Sequence, residues 1–236
     1  MHRPLRLTID RSAIEANWRW LQQLAGVPAG AAIKADGYGL GARETMDALV
    51  GVGCREFFVA TWAEADALGS VAPDIDVIVL HGVGPDDSKA ALASARPCLN
   101  SPEQVARWKE IGAGRPCDVM IDTGMNRLGL RPTEIDVLEG VTIQTLHSHL
   151  ACADEDSPMN GMQLERFRAV ASAVPAKRYA LCNSAGVGLG SDYSFDLVRP
   201  GISIYGGIQR PEFTEHIRQV VRVEAQVGIS SAATVV

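Results

Sequence analysis

The stretch AAIKADGYGLGA (31–42) sets one lysine, Lys34, at the end of an apolar run and follows it with three closely spaced glycines. Lysine is seldom buried without a partner. A desolvated amine has a lowered pKa, is partly neutral near pH 7 and can form a Schiff base with a carbonyl compound. The plainer alternative is an ammonium that reaches water or a carboxylate from a strand end. Other reactive groups follow later apolar runs. IDTGMNRLGL carries Asp122, Asn126 and Arg127; HSHLACADE carries His147, His149, Asp154 and Glu155. CNSAG carries Asn183 and Ser184, and VRPGISIYGG carries Arg199, Gly201 and Ile202. His147 and His149, two apart, share one face of a strand and suit a metal. No HExxH occurs and the rest of a ligand set is not evident, so no metal is assigned. Arg127 and Arg199 read equally well as solvated or ion-paired residues.

Ser184 to Gly186 and the Gly201-Ile202 pair follow two late strands. In a parallel barrel these loops often hold a phosphate on backbone N–H groups, and Ser184 adds a hydroxyl donor. Two glycine-containing turns are the plain alternative. Together with a lysine on the first strand, however, a phosphate anchor and a Schiff-base amine are what pyridoxal phosphate requires.

The elements that must position these groups alternate along the chain. Strands are expected at 31–35, 57–61, 77–81, 97–100, 119–122, 142–149, 179–183 and 197–198. Most are near-continuous apolar runs, as parallel strands buried on both faces should be. Helices are expected at 13–24, 41–49, 62–68, 88–95, 102–111, 132–138 and 159–173. Ser12 with Glu15 forms a capping box for the first, and Ser101-Pro102 opens the fifth. Eight strands in about 200 residues point to an α/β fold, a (β/α)₈ TIM barrel. A doubly wound sheet is less favoured, since no GxGxxG follows the first strand. The ends depart from a bare barrel. LRLTI (5–9) and VVRVEAQVGI (220–229) alternate like half-buried antiparallel strands that need a partner sheet. The expected division is 1–10 as a strand of a β domain, 11–217 as the barrel, and 218–236 as the start of a β domain that is mostly absent.

Composition narrows the setting. The net charge of −6, from 22 basic and 28 acidic residues, disfavours nucleic acid and anionic membrane as partners. No apolar run approaches the ~18 residues of a membrane span, and the N-terminus has no apolar core of a signal peptide. Five scattered cysteines without a CxxC suit reduced, mostly buried thiols in a cytoplasmic protein rather than a catalytic cysteine.

Five motifs, IKADGYGLGA, IDTGMNRLGL, HSHLACADE, CNSAG and VRPGISIYG, resemble those of bacterial alanine racemase, in the same order and over nearly the whole chain. That family is a pyridoxal-phosphate barrel of fold type III that interconverts L- and D-alanine for peptidoglycan. The resemblance implies that Lys34 holds the cofactor as a Schiff base and then acts as base on one face of Cα. It implies that Tyr38 contacts the phosphate, in a cup completed by Asn183, Ser184, Gly201 and Ile202. It implies that Arg199 faces the pyridine nitrogen, that His149 packs by the ring and orients Arg199, and that Arg127 contacts the cofactor's phenolic oxygen and the substrate carboxylate. The family's second base is a tyrosine from the β domain of the partner subunit in a homodimer. This chain is expected to lack that domain, to dimerise weakly and to racemise poorly or not at all. Many members carry a carbamylated lysine where this chain has Met120, so Arg127 is held differently or anchored by an ion. The histidine of KADxYGHG is Leu40 here. The resemblance leaves open a non-catalytic pyridoxal-phosphate-binding barrel, and a broad-specificity racemase or another fold-type III enzyme.

Overall fold

The computed structural model of the chain describes residues 5–87 and 94–225. Seven parallel strands follow one another around a curled sheet in chain order. They are β2 (Ala31–Ala32), β3 (Glu56–Val59), β4 (Asp76–Val79), β5 (Arg96–Leu99), β6 (Cys117–Met120), β7 (Ile143–His147) and β8 (Arg178–Ala180). The expected eighth strand is a short extended segment that closes the ring. Arg199 N–H donates to Cys182 O (3.0 Å) on one side. On the other, Val198 N–H donates to Pro28 O (3.1 Å), Gly30 N–H to Val198 O (3.0 Å) and Ala32 N–H to Pro200 O (2.9 Å). The result is the barrel that the spacing implies.

Side chains alternate across each strand, so every second residue faces the interior. One interior layer is apolar: Ala32, Phe58, Ile78, Cys98, Met120, Ala180 and Leu197. Two residues earlier on the same strands lies a charged layer. Arg178 pairs in bidentate fashion with Glu56 (2.5 and 2.6 Å) and reaches Thr145 Oγ1 (3.2 Å). Arg96 pairs with Asp118 (2.7 Å) and Asp76 (3.0 Å). This polar plug fills the end of the barrel where the strands begin, a feature that the apolar character of the runs does not announce.

The helices pack outside. In α1 (Arg11–Ala25) the buried residues Ile14, Trp18, Leu21 and Ala25 recur every three or four positions and face the sheet. Its cap is Asp10, whose carboxylate accepts from Ala13 N (3.1 Å), not Ser12, whose hydroxyl donates to Asp10 (2.6 Å). Asp10 wins because a carboxylate beside a helix N-terminus accepts more strongly than a hydroxyl. Next come α3 (Ala42–Gly51), α4 (Trp62–Ala67), α5 (Pro102–Ile111, capped by Ser101) and α6 (Pro158–Ala173). Pro132–Leu138 is a 3₁₀ helix, and most of the helix expected at 88–95 lies outside the described residues.

The two end strands pair with each other. β1 (Leu5–Ile9) runs antiparallel to β9 (Val221–Ala225), with Leu7 opposite Val223. Ile9 and Val221 pack on the main core. Farther out, Leu5 (64% exposed), Leu7 (55%) and Val223 (66%) leave an apolar face open. The continuation expected through Val227 and Ile229 lies outside the described residues.

Candidate active site

Lys34 does not continue a strand. β2 ends at Ala32, and Lys34 opens a single turn, α2 (Lys34–Gly39), wound left-handed from Ala35 to Tyr38. Ala35, Asp36 and Tyr38 have φ of 54°, 51° and 55°. For residues with a Cβ, left-handed backbone costs about 1–2 kcal/mol each, so the surroundings must hold the turn. Gly37 N–H donates to Ile33 O (2.8 Å), and Asp36 Oδ1 accepts from Ala42 N (2.9 Å). Glu64, on α4, accepts from Ala35 N (3.1 Å) and Ala60 N (2.7 Å), tying this turn to the end of β3. Burial lowers the Lys34 amine below its ordinary value, the Arg127 and Arg199 charges lower it further, and Glu64 opposes them. Lys34 is therefore half-buried, held at its base and biased toward the neutral nucleophile.

It opens into a cavity of about 590 Å³ at the ends of the strands, where barrel chemistry sits. All nine residues to which the resemblance gave a role line it: Lys34, Tyr38, Arg127, His149, Asn183, Ser184, Arg199, Gly201 and Ile202; Asp122, Asn126, His147, Asp154 and Glu155 do not. Phe58, Ala32 and Met120 add apolar walls, and His81, Met125 and Gln209, which the motifs did not mark, also line it.

On the side of the late strands, Ser184 Oγ accepts from Gly201 N (2.8 Å) and Ser203 N (3.3 Å). Both acceptor positions are used, so the hydroxyl proton is what Ser184 offers to an anion. The Gly201 amide is spent on this contact, and its contribution is space. A Cβ there would collide with the Tyr38 hydroxyl and lie 3.2 Å from Ala32 Cβ. Tyr38 packs its ring on Tyr205 (centroids 4.8 Å apart), and burial raises its phenol pKa, keeping it a donor. Asn183 caps the following 3₁₀ turn by accepting from Gly186 N (2.9 Å).

Arg199 is buried. Its Nη2 donates to Ser148 O (2.6 Å), and Nη1 has no partner among the described residues. The backbone of Ser148, rather than the His149 ring, is what holds it. Burial, followed by the charges of Arg199, Arg127 and Lys34, pushes His149 down to about 3, so its imidazole is neutral. His147 parts from His149: it points into the barrel interior, where its Nε2 meets Asp118 Oδ2 (2.8 Å). Burial lowers His147 more than Asp118 raises it. Burial works to raise Asp118, but His147 and Arg96 outweigh it and hold the carboxylate ionised. Among the described residues no group of three or more His, Cys, Asp or Glu is placed to hold a metal ion. Arg127 is exposed at the cavity rim, and among the described residues it has no ion-pair or hydrogen-bond partner. Buried Met120 stands in the wall of the same cavity.

Sequence reasoning missed two further residues. Glu64 fits the T-x-x-E capping signature from Thr61, which marks a helix start and conceals the longer-range contact to Ala35. Gln163 lies mid-helix in α6, where nothing local distinguishes it. The assembled site offers a depressed amine able to attack a carbonyl, with two arginines, a serine hydroxyl and a phenol able to receive anions.

Residues 9–209 match the family described as "Alanine racemase, N-terminal domain". The chain is 40% identical over 243 residues to the biosynthetic alanine racemase of Agrobacterium fabrum, covering 95% of this chain and 61% of that protein. It is 44% identical over 232 residues to an alanine racemase of Cereibacter sphaeroides, covering 94% and 64%. It thus spans somewhat over three fifths of the length of these curated relatives. Its fold matches the crystal structure of alanine racemase from Bartonella henselae with covalently bound pyridoxal phosphate, with TM-score 0.92 and 34% identity over 99% of this chain and 72% of that one. The biosynthetic alanine racemase of Pseudomonas aeruginosa matches with TM-score 0.84 and 29% identity, over 93% and 65%.

Proposed function

The chain belongs to the alanine racemase family, and on that premise we propose that its barrel binds pyridoxal phosphate at Lys34 and serves racemisation of a small amino acid, alanine foremost. The observation that carries this reading is the convergence of a half-buried, pKa-lowered lysine with Arg199, Arg127 and the Ser184–Gly201–Tyr38 cradle in one cavity. The cradle fits a phosphate, because Ser184 retains only a proton to give and Gly201, without a Cβ, lets the Tyr38 hydroxyl come in beside it as a second donor. The orphaned Nη1 of Arg199 fits a polar ligand atom in the same cavity.

Bound pyridoxal phosphate supplies an electron sink that weakens the Cα–H bond of an attached amino acid. The chain's own residues do the rest. Lys34 forms the covalent attachment and then takes or returns the proton on one face of Cα. Burial and the neighbouring arginine charges lower its pKa, which favours the neutral amine relative to an exposed lysine. Arg199 cannot give up its proton, so toward a cofactor ring nitrogen it would act as donor and would keep that nitrogen unprotonated, moderating the electron sink. Arg127, without an ion-pair partner among the described residues, is available at the rim to a substrate carboxylate. Tyr38, Ser184, Gly201 and Ile202 receive the phosphate, while Asn183 shapes their loop. His149, neutral, packs beside the ring. Inversion needs a proton donor on the opposite face, a role we leave to the wider family assembly, a homodimer. The apolar face of β1 and β9 supports an extended β domain beside the barrel. Five unpaired cysteines, four of them buried, support a cytoplasmic setting.

The test is exchange of the Cα proton of L-alanine with solvent deuterium, followed by proton NMR with the chain and pyridoxal phosphate. Exchange that is lost in Lys34→Ala supports the reading. Equal exchange in Lys34→Ala and the parent chain overturns it.

A further inference from the structure

We infer that Gln163, on α6 and away from the cavity wall, is the positioning residue that fixes Arg199, His149 and the Arg127 loop relative to one another. This inference rests on the proposed reading for its purpose, although the contacts stand apart from it. Gln163 is fully buried, and each of its amide hydrogen-bonding directions toward the site is used. Its Oε1 accepts from Ala151 N (2.9 Å), and its Nε2 donates to His149 O (2.9 Å) and Thr123 Oγ1 (3.2 Å). The amide cannot be flipped, because a backbone N–H only donates and a carbonyl only accepts.

Those three contacts reach two loops. His149 O and Ala151 N belong to the loop after β7. Thr123 belongs to the loop after β6, where Asp122 Oδ1 gathers Gly124 N (2.9 Å) and Asn126 N (3.1 Å) just before Arg127. Thr123 Oγ1 then meets Ser148 Oγ (2.8 Å), and the carbonyl of that same Ser148 holds Arg199 (2.6 Å). One turn along α6, Arg166 donates to Thr123 O (3.0 Å), so the helix grips this loop twice. Thr123, Ser148 and Gln163 are all buried, which makes the network stiff and its loss costly. The Ser148 carbonyl is the partner that orients the Arg199 guanidinium, and a site loosened in its supporting groups loses ligand affinity even when every contacting residue remains.

Three variants of the chain test this: Gln163→Met, which keeps the shape and loses every hydrogen bond; Gln163→Glu, which keeps the acceptor for Ala151; and Val170→Ala, which opens a cavity in the same helix face away from the network. Pyridoxal phosphate affinity and the absorbance of its lysine adduct are measured by titration, and amide hydrogen exchange is followed in the cofactor-free protein. Gln163→Met is expected to weaken affinity by about tenfold or more, shift the absorbance band and speed exchange at 122–128 and 148–153. Gln163→Glu should recover part of the affinity as pH falls and its carboxyl is protonated. Val170→Ala should lower thermal stability and leave band and affinity unchanged. If Gln163→Met keeps the parent's affinity and band, or Val170→Ala alters them as much, Gln163 is only structural. If the parent chain forms no lysine adduct, the cofactor reading fails, and exchange at the two loops alone decides the positioning role: acceleration in Gln163→Met but not Val170→Ala upholds it, and no difference overturns it.

Discussion

Acidification should destabilise this barrel well before its carboxylates titrate, because two histidines are kept neutral in the folded state. His147 is sealed in the interior against Asp118, and His149 is pushed down to about 3 by burial and by the Arg199, Arg127 and Lys34 charges. A histidine whose folded pKa lies below its unfolded value near 6.5 binds more protons when unfolded. Its contribution to stability is therefore complete above about 6.5 and is lost as pH falls below that value. At about 1.4 kcal/mol per pH unit, the fall from about 6.5 to about 5 removes roughly 2 kcal/mol for a fully sequestered histidine. His149 is only half-buried, so about half that figure, roughly 1 kcal/mol, is assigned to it, and His147, also lowered, adds a loss of the same sign. Against a total of about 5–15 kcal/mol such a loss is measurable. Asp118, held below the usual carboxylate range, contributes oppositely placed stability that is lost only as pH falls through about 4 and below, so the two windows separate. The assay is urea unfolding of the cofactor-free chain at several pH values between 7.5 and 5. The midpoint should fall by about 0.5 M or more across this range. In His147→Gln, whose side-chain amide can still donate to Asp118, the slope should be shallower. A midpoint that stays constant from pH 7.5 to 5, or an unchanged slope in His147→Gln, refutes the reasoning.

Three other outcomes follow from the geometry. Glu64→Gln leaves one of two backbone N–H groups without an acceptor, costing about 1–2 kcal/mol in a denaturation curve, and removes the charge that opposes the lowering of Lys34. The pH midpoint for acylation of the Lys34 amine should then move down, measured by quantitative peptide mapping. Gly37→Ala forces a Cβ into left-handed backbone 3.1 Å from Ala42 N, and should cost about 1–2 kcal/mol by thermal unfolding. Gly201→Ala should weaken pyridoxal phosphate binding about tenfold by driving a Cβ into the Tyr38 hydroxyl, and Tyr38→Phe in the same chain should relieve the clash yet not restore the affinity, since the phenol donor is gone.

Much of the frame was legible because its signals are local. Apolar runs separated by amphipathic segments give a barrel, and reactive residues just past each run fall on one rim; Lys34, Ser184 and Arg199 therefore meet although 165 positions separate the first from the last. The pairing of the end strands was legible as two alternating segments, though not that each would find the other. What remained hidden is long-range or geometric. The left-handed turn of Ala35–Tyr38 is carried by only one glycine among its four residues, so composition does not reveal it. The charged plug of Glu56, Asp76, Arg96, Asp118 and Arg178 looks like ordinary strand-start polarity until the barrel closes and brings the strands together. His147 and His149, alike in sequence, separate because β7 ends at His147, which stays inside the barrel while the chain turns outward to place His149 at the rim. Gln163 depends on three partners 12 to 40 residues away, a distance no spacing rule spans.

The central claim is that Lys34 carries the cofactor. Incubation of the chain with pyridoxal phosphate, reduction with borohydride and peptide mapping by mass spectrometry tests it directly. The account predicts one dominant pyridoxyl modification, on the peptide containing Lys34, which vanishes in Lys34→Ala. Labelling spread over Lys109 and Lys177, or a Lys34 peptide that stays unmodified, would contradict it.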